Sequence, residues 1–201
     1  MNQLTFFENK ALSIPDELAS YHNAFFSTAE SMGYLDRLTT VTPWNQETIH
    51  MYGKMLKTPR LTAWYGDEES IYQFSGNKYH PLKWTPDLLS LKEKVEQKAG
   101  EKFNSVLLNF YRDGNDSVSW HSDDEPELGT NPVIASVSFG QPRRFDIRNK
   151  SDHQHKFSIE LENGSLLVMK GDMQKNWEHR VPKSIRPMKH RINLTFRMIN
   201  T

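Results

Sequence analysis

Four side chains suited to one kind of metal chemistry stand in the second half of the sequence. His121 and Asp123 are two residues apart, His179 follows much later, and Arg191 opens the run Arg-Ile-Asn-Leu-Thr-Phe-Arg that ends at Arg197. Two imidazoles and one carboxylate on the same side of Fe(II) leave coordination positions open for other ligands. An arginine grips a carboxylate through two parallel hydrogen bonds, which a lysine cannot do. The pattern predicts an iron site beside a binding site for an acidic cosubstrate.

Strand alternation decides which of these side chains share a face. In the run 191–197 the polar residues fall on one side, and His121 shares a face with Asp123 as Asn109 does with Tyr111. A solvated outer face is the ordinary explanation of such alternation. Two arginines with an asparagine and a threonine are less ordinary, because a solvated face has no need of fork-shaped donors. If the three polar rows point into one barrel, they form a pocket for a metal and an anion.

The elements that must carry these residues follow from the periodicity of the chain. Alternation from Ser105 onward predicts strands, and Asn163-Gly164 is typical of a hairpin turn between two of them. The predicted strands are 105–112, 117–123, 132–139, 143–149, 155–162, 165–170, 177–181 and 190–199. Helical spacing predicts one helix from Pro15 to about Gly33 and another that starts at Thr85 and stops at Gly100. We therefore expect an α+β fold that is mainly β, with a sandwich or barrel covered by helices.

Length and charge limit the classes of function. A chain of 201 residues predicts one domain, and Lys+Arg and Asp+Glu both number 25, so a nucleic-acid partner would have to meet a local basic patch. The absence of cysteine leaves metal binding to His, Asp and Glu. The apolar runs are far shorter than the ~20 residues that cross a bilayer, and the first residues lack the pattern of a signal peptide. We expect a cytoplasmic protein with no membrane contact, or a nuclear one in a eukaryote.

Three segments together resemble a known family. The stretch from Asn109 through Trp120-His121-Ser-Asp123-Asp124-Glu125, the strand Ile-Ala-Ser-Val-Ser-Phe-Gly at 134–140, and the run 191–197 resemble the AlkB family of Fe(II)- and 2-oxoglutarate-dependent dioxygenases. The resemblance is strongest to the animal members that repair DNA and RNA, and it runs from about residue 52 to 198. It implies a double-stranded β-helix of jelly-roll type. Within a single domain 1–201, it implies an N-terminal helical extension at 1–50, nucleotide-recognition hairpins at 51–85, and a helix plus the dioxygenase core at 86–201.

The resemblance also implies roles for particular residues. The iron ligands would be His121, Asp123 and His179. The residues around 2-oxoglutarate would be Arg191 and Arg197 at its two carboxylates, with Asn109, Tyr111, Asn193 and Thr195 lining its site. In the implied reaction, dioxygen is activated at iron while 2-oxoglutarate is decarboxylated to succinate. An N-methyl carbon is then hydroxylated and leaves as formaldehyde, so that no side chain beyond the metal centre is expected to act as acid or base.

Substrate contacts are predicted at the rim of this site. By resemblance, Asp124 and Glu125 approach the target base, and carboxylates there would offset the charge of a cationic methylated base. The ordinary alternative for an Asp-Asp-Glu-Pro run is a solvated loop. Tyr72 and Phe74 are the candidates for stacking on an extruded base, with His121 as the opposite wall. For these two aromatic residues the ordinary alternative is a place in the core.

Two basic clusters are candidates for phosphate contacts. The first resembles a finger that some family members push into a duplex, and it comprises Tyr52, Gly53, Lys54, Lys57 and Arg60. The second lies on the predicted barrel and comprises Arg143, Arg144, Arg148 and Lys150. Either cluster could supply the local basic patch that a net charge of zero requires.

The function predicted from the sequence is a monomeric dioxygenase that removes methyl groups from 1-methyladenine and 3-methylcytosine in DNA, with RNA as a further candidate substrate. Two alternatives stay open at this point. A protein or small-molecule hydroxylase could use the same iron chemistry. A non-catalytic nucleic-acid-binding module could keep the barrel without turnover, although the retention of all three ligands and both arginines argues against it.

Overall fold

The computed structural model describes residues 14–51, 54–70, 72–74 and 77–200. Within them, the helices are α1 (Thr28–Val41), α2 (Pro86–Ala99) and the short α3 (Met173–Asn176), with a 3₁₀ turn at Pro126–Leu128. The strands of the first half are β1 (Ala19–His22), β2 (Thr48–Met51), β3 (Lys54–Lys57), β4 (Leu61–Gly66), β5 (Tyr72–Phe74) and β6 (Asn77–Tyr79). Those of the second half are β7 (Ser105–Tyr111), β8 (Val118–His121), β9 (Ile134–Gly140), β10 (Arg143–Asn149), β11 (Lys156–Leu161), β12 (Ser165–Met169), β13 (Trp177–Val181) and β14 (Arg191–Arg197).

Two antiparallel sheets make up the body of the fold. The six-stranded sheet has the order β1-β12-β9-β14-β7-β4, and the four-stranded sheet has the order β11-β10-β13-β8. The pairs β2–β3 and β5–β6 form two separate hairpins. All eight strands predicted between residues 105 and 199 are present, and the mainly-β, jelly-roll fold class is confirmed. Among the described residues, none of the helices combines the length and the apolar character needed to cross a membrane.

Strand β14 lies inside the six-stranded sheet and is buried on both faces. It pairs with β7 on one side and β9 on the other. Its apolar residues Ile192, Leu194 and Phe196 belong to the core cluster that also contains Leu88 and Leu91 of α2. Since side chains alternate along a strand, the polar residues of β14 point the other way, toward the four-stranded sheet. The helices thus cover the outer face of the large sheet, and the polar row lies between the sheets.

Helix α2 has the ends that the sequence predicts. The Thr85 hydroxyl accepts a hydrogen bond from the Leu88 backbone N–H, and Pro86 occupies the first turn. At the other end Gly100 adopts a left-handed conformation with φ of 72° and donates its N–H to the carbonyl of Glu96. Local capping chemistry therefore suffices to define the limits of this helix.

The helix predicted from Pro15 to Gly33 is wrong. Residues 19–22 form β1, which pairs with the distant strand β12 at the edge of the large sheet. Helix α1 begins only after Ser27, whose hydroxyl and backbone N–H are both bonded within a capping box with Glu30. Gly33 then lies inside α1 rather than after its end. The pairing with β12 outweighed a weak helical periodicity, and the capping box was the signal that marked the true helix start.

The turn at Asn163 and Gly164 is present, but it does not close a hairpin. It joins β11 of the small sheet to β12 of the large sheet, so the strands on its two sides are not paired. Gly164 has a φ of 75°, its N–H donates to Ser138, and its carbonyl accepts from the N–H of Phe26. The turn therefore carries the chain from one sheet to the other and ties the segment before α1 to β9.

We expect Gly164→Ala to destabilise the protein more than the matched substitution Gly100→Ala. Both glycines have a positive φ, which costs an alanine about 1–2 kcal/mol. At Gly164 an added Cβ would also lie 2.6 Å from the carbonyl oxygen of Phe26, whereas at Gly100 it would meet no atom within 4 Å. Overpacking of that kind adds roughly 1–3 kcal/mol. Urea denaturation of both variants measures the difference, and equal losses of unfolding free energy would contradict the packing argument.

Candidate active site

One cavity between the two sheets collects the residues singled out in the sequence. All the predicted metal ligands and all the predicted 2-oxoglutarate residues line it. The lining comprises Arg60, Leu107, Asn109, Tyr111, Val118, His121, Asp123, Ser136, Phe145, Leu161, Met169, His179, Val181, Arg191, Asn193, Thr195 and Arg197. The three polar rows on β7, β14 and the end of β8 therefore open into the same space.

Three side chains from two neighbouring segments converge on one point of the cavity. His121 on β8 is paired across the sheet with His179 on β13, and Asp123 follows just after β8 ends. One ligand atom from each residue lies within 4.8 Å of the other two. The Nδ1 of His121 lies 2.8 Å from the carbonyl of Ser119, so it carries the proton and leaves Nε2 as the acceptor facing Asp123.

Charge and burial around this point favour an ionised Asp123 carboxylate and a neutral His179 imidazole. Burial raises the pKa of Asp123, but the positive Arg197 and the two histidines outweigh burial and lower the pKa of that carboxyl well below its usual range. Arg197 donates to Asp123 with Nη2 2.8 Å from Oδ2. Burial lowers the pKa of His179 to about 3, with His121 acting in the same direction. Both shifts hold the ligands in the protonation states that bind a metal cation.

The donor set fits a divalent iron. It offers two imidazole nitrogens and one carboxylate oxygen to a single ion. Three protein ligands of this kind leave coordination positions of the iron open for small ligands. The buried Nδ1 of His179 has no hydrogen-bond partner in the part of the chain that the structure describes. A buried polar atom without a partner is costly, and coordination of an ion through this nitrogen would relieve that cost.

A buried cation lies on the same strand as Arg197. Arg191 is 1% exposed, and burial lowers the pKa of its guanidinium to about 10. Its Nη2 donates to the Ser138 hydroxyl at 2.9 Å, but Nε and Nη1 have no acceptor among the described residues. Next to it, the Asn193 amide donates to the Ser136 hydroxyl at 2.8 Å. An anion placed against Arg191 would satisfy the remaining donors and offset its charge.

Tyr111 stands between two buried guanidiniums. Its ring lies 5.1 Å from Arg191 and 5.5 Å from Arg143. Arg143 is 2% exposed and donates to three backbone carbonyls, those of Asp113, Asp116 and Pro182. Those carbonyls belong to the loop before β8 and the loop after β13. Arg143 therefore ties together the loops that flank the two histidine strands.

The second basic cluster predicted from the sequence is not an open patch. Arg143 is buried, and the other members form ion pairs with nearby carboxylates. These pairs are Arg144 with Asp146, Arg148 with Glu178, and Lys150 with Asp124. Alternation along β10 places Arg143 on the inner face of the small sheet, and the outer-face arginines are matched by acids on the same or adjacent strands. These ion pairs leave less uncompensated positive charge on the barrel than the sequence predicted.

Arg60, predicted to contact phosphate, lies at the cavity. Its Nε donates to the side-chain oxygen of Asn109 at 2.7 Å, and it lines the cavity. The side chain is thus directed into the site rather than toward a phosphate backbone. The pairing of β4 with β7 brings the start of β4 beside Asn109, and no sequence motif marks that contact.

The remaining predicted substrate contacts divide into two groups. Tyr52 and Gly53 lie outside the described residues, as do the side chains of Lys54, Tyr72 and Phe74. The acidic loop is described. Asp124 is exposed and accepts hydrogen bonds from Ser122 and Lys150, whereas Glu125 is half-buried at the start of the 3₁₀ turn. Of the two acids, Asp124 is engaged in fixing its own loop.

We expect Asp123→Ala to abolish tight metal binding while His80→Ala leaves it intact. The first substitution removes the only anionic ligand of the described metal site, and the second removes an exposed histidine far along the sequence. Loss of an outer partner of a metal site costs about 10–100-fold in affinity, so loss of a ligand should cost more. Titration with Mn(II), followed by electron paramagnetic resonance, measures both. A dissociation constant for Asp123→Ala within threefold of wild type would contradict the assignment.

Comparisons with known proteins agree with this geometry. Residues 18–197 match the 2OG-Fe(II) oxygenase superfamily. The chain is 43% identical over 183 residues to the alpha-ketoglutarate-dependent dioxygenase alkB homolog 3 of Rattus norvegicus. The aligned region covers 87% of this chain and 62% of the relative. This chain is also 39% identical over 158 residues to the DNA oxidative demethylase ALKBH2 of Mus musculus, and that aligned region covers 75% of this chain and 66% of the relative. The chain thus spans less than two thirds of the length of these relatives.

A solved structure gives independent support for the fold. The structure of OsALKBH1 superposes with a TM-score of 0.64 at 18% identity, covering 90% of this chain and 97% of the other. At that identity the likeness speaks for the fold alone. The sequence matches, together with the His121, Asp123 and His179 constellation, place this chain in the 2OG-Fe(II) oxygenase superfamily and, within it, in the AlkB family.

Proposed function

We propose that this chain is an Fe(II)- and 2-oxoglutarate-dependent demethylase that repairs 1-methyladenine and 3-methylcytosine in DNA, with RNA as a further substrate. The observation that carries the proposal is one cavity holding both the metal triad and the buried Arg191, whose Nε and Nη1 have no acceptor within the described residues. The similarity to the mouse relative, a DNA oxidative demethylase, supports the choice of substrate.

The reaction balances without an acid or base from the protein. Iron, when bound, supplies the activation of dioxygen that is coupled to loss of CO₂ from 2-oxoglutarate. One oxygen atom ends in succinate and the other in the hydroxymethyl group of the base, which then releases formaldehyde and leaves N–H in place of N–CH₃. The chain contributes a fixed ligand set, an anion site and a cavity between two sheets that limits access of water.

We assign the anion site to the polar row of β14 and its neighbours. Arg191 would hold one carboxylate of 2-oxoglutarate in the bidentate manner open to its fork of donors. Tyr111, Asn109, Asn193 and Thr195 would line the same ligand. Arg197 would serve the other carboxylate, and since it already bonds Asp123, one guanidinium would link the cosubstrate to the metal ligand.

We assign the substrate face of the site to the acidic loop and the β5–β6 hairpin. A methylated base of this kind carries positive charge, which a carboxylate near its exocyclic amine would stabilise. Asp124 and Glu125 are both proposed for this role, and the bonds of Asp124 to Lys150 and Ser122 fix the position of the loop that carries them. Tyr72 and Phe74 are proposed to stack on the extruded base, on the strength of the sequence resemblance.

The contacts with the rest of the nucleic acid are proposed on the β2–β3 hairpin. Tyr52, Gly53 and Lys54 would form the finger, with Lys57 beside it. Met55 and Leu56 on the same hairpin are exposed, as apolar residues that insert between bases would be. We further propose that the protein acts as a monomer in the cytoplasm or nucleus.

Turnover on a methylated oligonucleotide tests the proposal. Wild-type protein with iron, ascorbate and 2-oxoglutarate should release equal amounts of formaldehyde and succinate from 1-methyladenine DNA, and Asp123→Ala should release neither. Matched single-stranded and duplex substrates, in DNA and in RNA, define the preference. If the oligonucleotide is not demethylated and does not change succinate formation, the substrate assignment fails.

We expect Arg191→Lys to raise the KM for 2-oxoglutarate by about tenfold or more. Lysine keeps the charge but loses the second parallel hydrogen bond, and a charge-assisted bond contributes roughly 1.5–3 kcal/mol. The exposed Arg144, which pairs with Asp146, provides the matched control Arg144→Lys. Steady-state kinetics at saturating oligonucleotide measure both variants. An unchanged KM in Arg191→Lys would remove this residue from the anion site.

A further inference from the structure

We propose that Gln174 is a positioning residue for the metal-binding carboxylate of Asp123. Gln174 lies on the short helix α3, between β12 and β13, and is 1% exposed. Its side-chain Oε1 accepts a hydrogen bond from the backbone N–H of Asp123 at 3.0 Å. The inference rests on the metal site of the proposed function but not on the identity of the nucleic-acid substrate.

The orientation of the Gln174 amide is fixed from both ends. Its Nε2 donates to the sulfur of Met169 at 3.6 Å, and Met169 also lines the cavity. Because the Asp123 backbone offers a donor, only the carbonyl oxygen of the amide can face it. Both polar ends of a fully buried amide are therefore used, which is the condition for a buried polar group to hold a single rotamer.

Asp123 needs such an anchor because it lies beyond the end of its strand. Strand β8 ends at His121, which pairs with His179 of β13. The sheet ladder that orients the two histidines does not extend to the Asp123 backbone. The hydrogen bond from the Asp123 N–H to Gln174 takes the place of a ladder bond there, although Gln174 lies on helix α3, far later in the chain.

Lys150 forms a second link between helix α3 and the residues after β8. Lys150, just after β10, donates to the backbone carbonyl of Gln174 at 2.8 Å and to the Asp124 carboxylate at 2.9 Å. The Lys150 backbone N–H also donates to the carbonyl of Asn176. Helix α3 and the residues after β8 are thus joined through Gln174 directly and through Lys150 as a bridge.

These contacts decide where the carboxylate points. Arg197 draws Oδ2 of Asp123 toward itself, while Oδ1 lies 3.7 Å from Nε2 of His121. With the backbone held by Gln174, the pull of Arg197 turns one oxygen away and leaves the other among the histidines. Without that hold, the whole residue can follow Arg197. Outer partners of this kind tune metal affinity because they fix the orientation of a ligand.

The test compares two neighbouring substitutions on α3. Gln174→Met keeps the length of the side chain but removes the acceptor, and we expect it to weaken Mn(II) binding by about tenfold or more. Met173→Leu changes a buried neighbour without touching a hydrogen bond and should bind Mn(II) within twofold of wild type. Electron paramagnetic resonance titration of the intact chain gives both constants. An affinity of Gln174→Met equal to that of Met173→Leu would overturn the proposal.

Hydrogen exchange supplies a readout that does not depend on any variant folding. In the metal-free wild-type protein, the Asp123 amide should exchange at least about tenfold more slowly than amides of exposed loops, because it is buried and bonded. Exchange as fast as in those loops would also overturn the proposal. Wild-type protein that binds Mn(II) but does not demethylate DNA would defeat the proposed function alone. Wild-type protein that fails to bind Mn(II) would defeat both.

Discussion

Burial of a polar row between two sheets is the constraint on which the rest of this structure depends. Strand β14 is interior to its sheet, so Arg191 and Asn193 cannot reach bulk water. The adjacent strand β9 provides two hydroxyl acceptors. Ser138 accepts a hydrogen bond from Arg191, and Ser136 accepts one from Asn193. The donors of Arg191 that stay unmatched in the described structure face the cavity. An anion in that space would offset the cost of burying them.

The two ends of the cavity differ in how their positive charge is compensated. At the metal end, one carboxylate, Asp123, serves both the histidines and Arg197. At the other end, Arg191 has no carboxylate within salt-bridge distance in the described part of the chain. An acidic cosubstrate lying between the two ends would complete the balance. The metal triad and the proposed anion site would therefore complement each other in charge.

Long polar side chains hold the loops around the metal strands. Arg143 joins the loop before β8 to the loop after β13, Lys150 bridges α3 to Asp124, and Gln174 holds the Asp123 backbone. Each spans segments that are far apart in sequence. The metal ligand Asp123 lies beyond the end of β8, where the ladder no longer fixes the backbone, so side-chain bonds do so instead.

The sequence by itself determined the strands from β7 to β14 and the limits of α2, because alternation and capping residues act over short distances along the chain. It also determined the metal triad, because the residue types and motifs that carry the family resemblance can be recognised without knowing the fold. It did not determine β1 or the sheet crossing at Gly164, since both depend on pairing with strands far away. Nor did it reveal that Arg143 is buried or that Gln174 holds Asp123. The partners of these side chains are backbone groups, which carry no residue-type signal, and only the tertiary structure brings them within hydrogen-bonding distance.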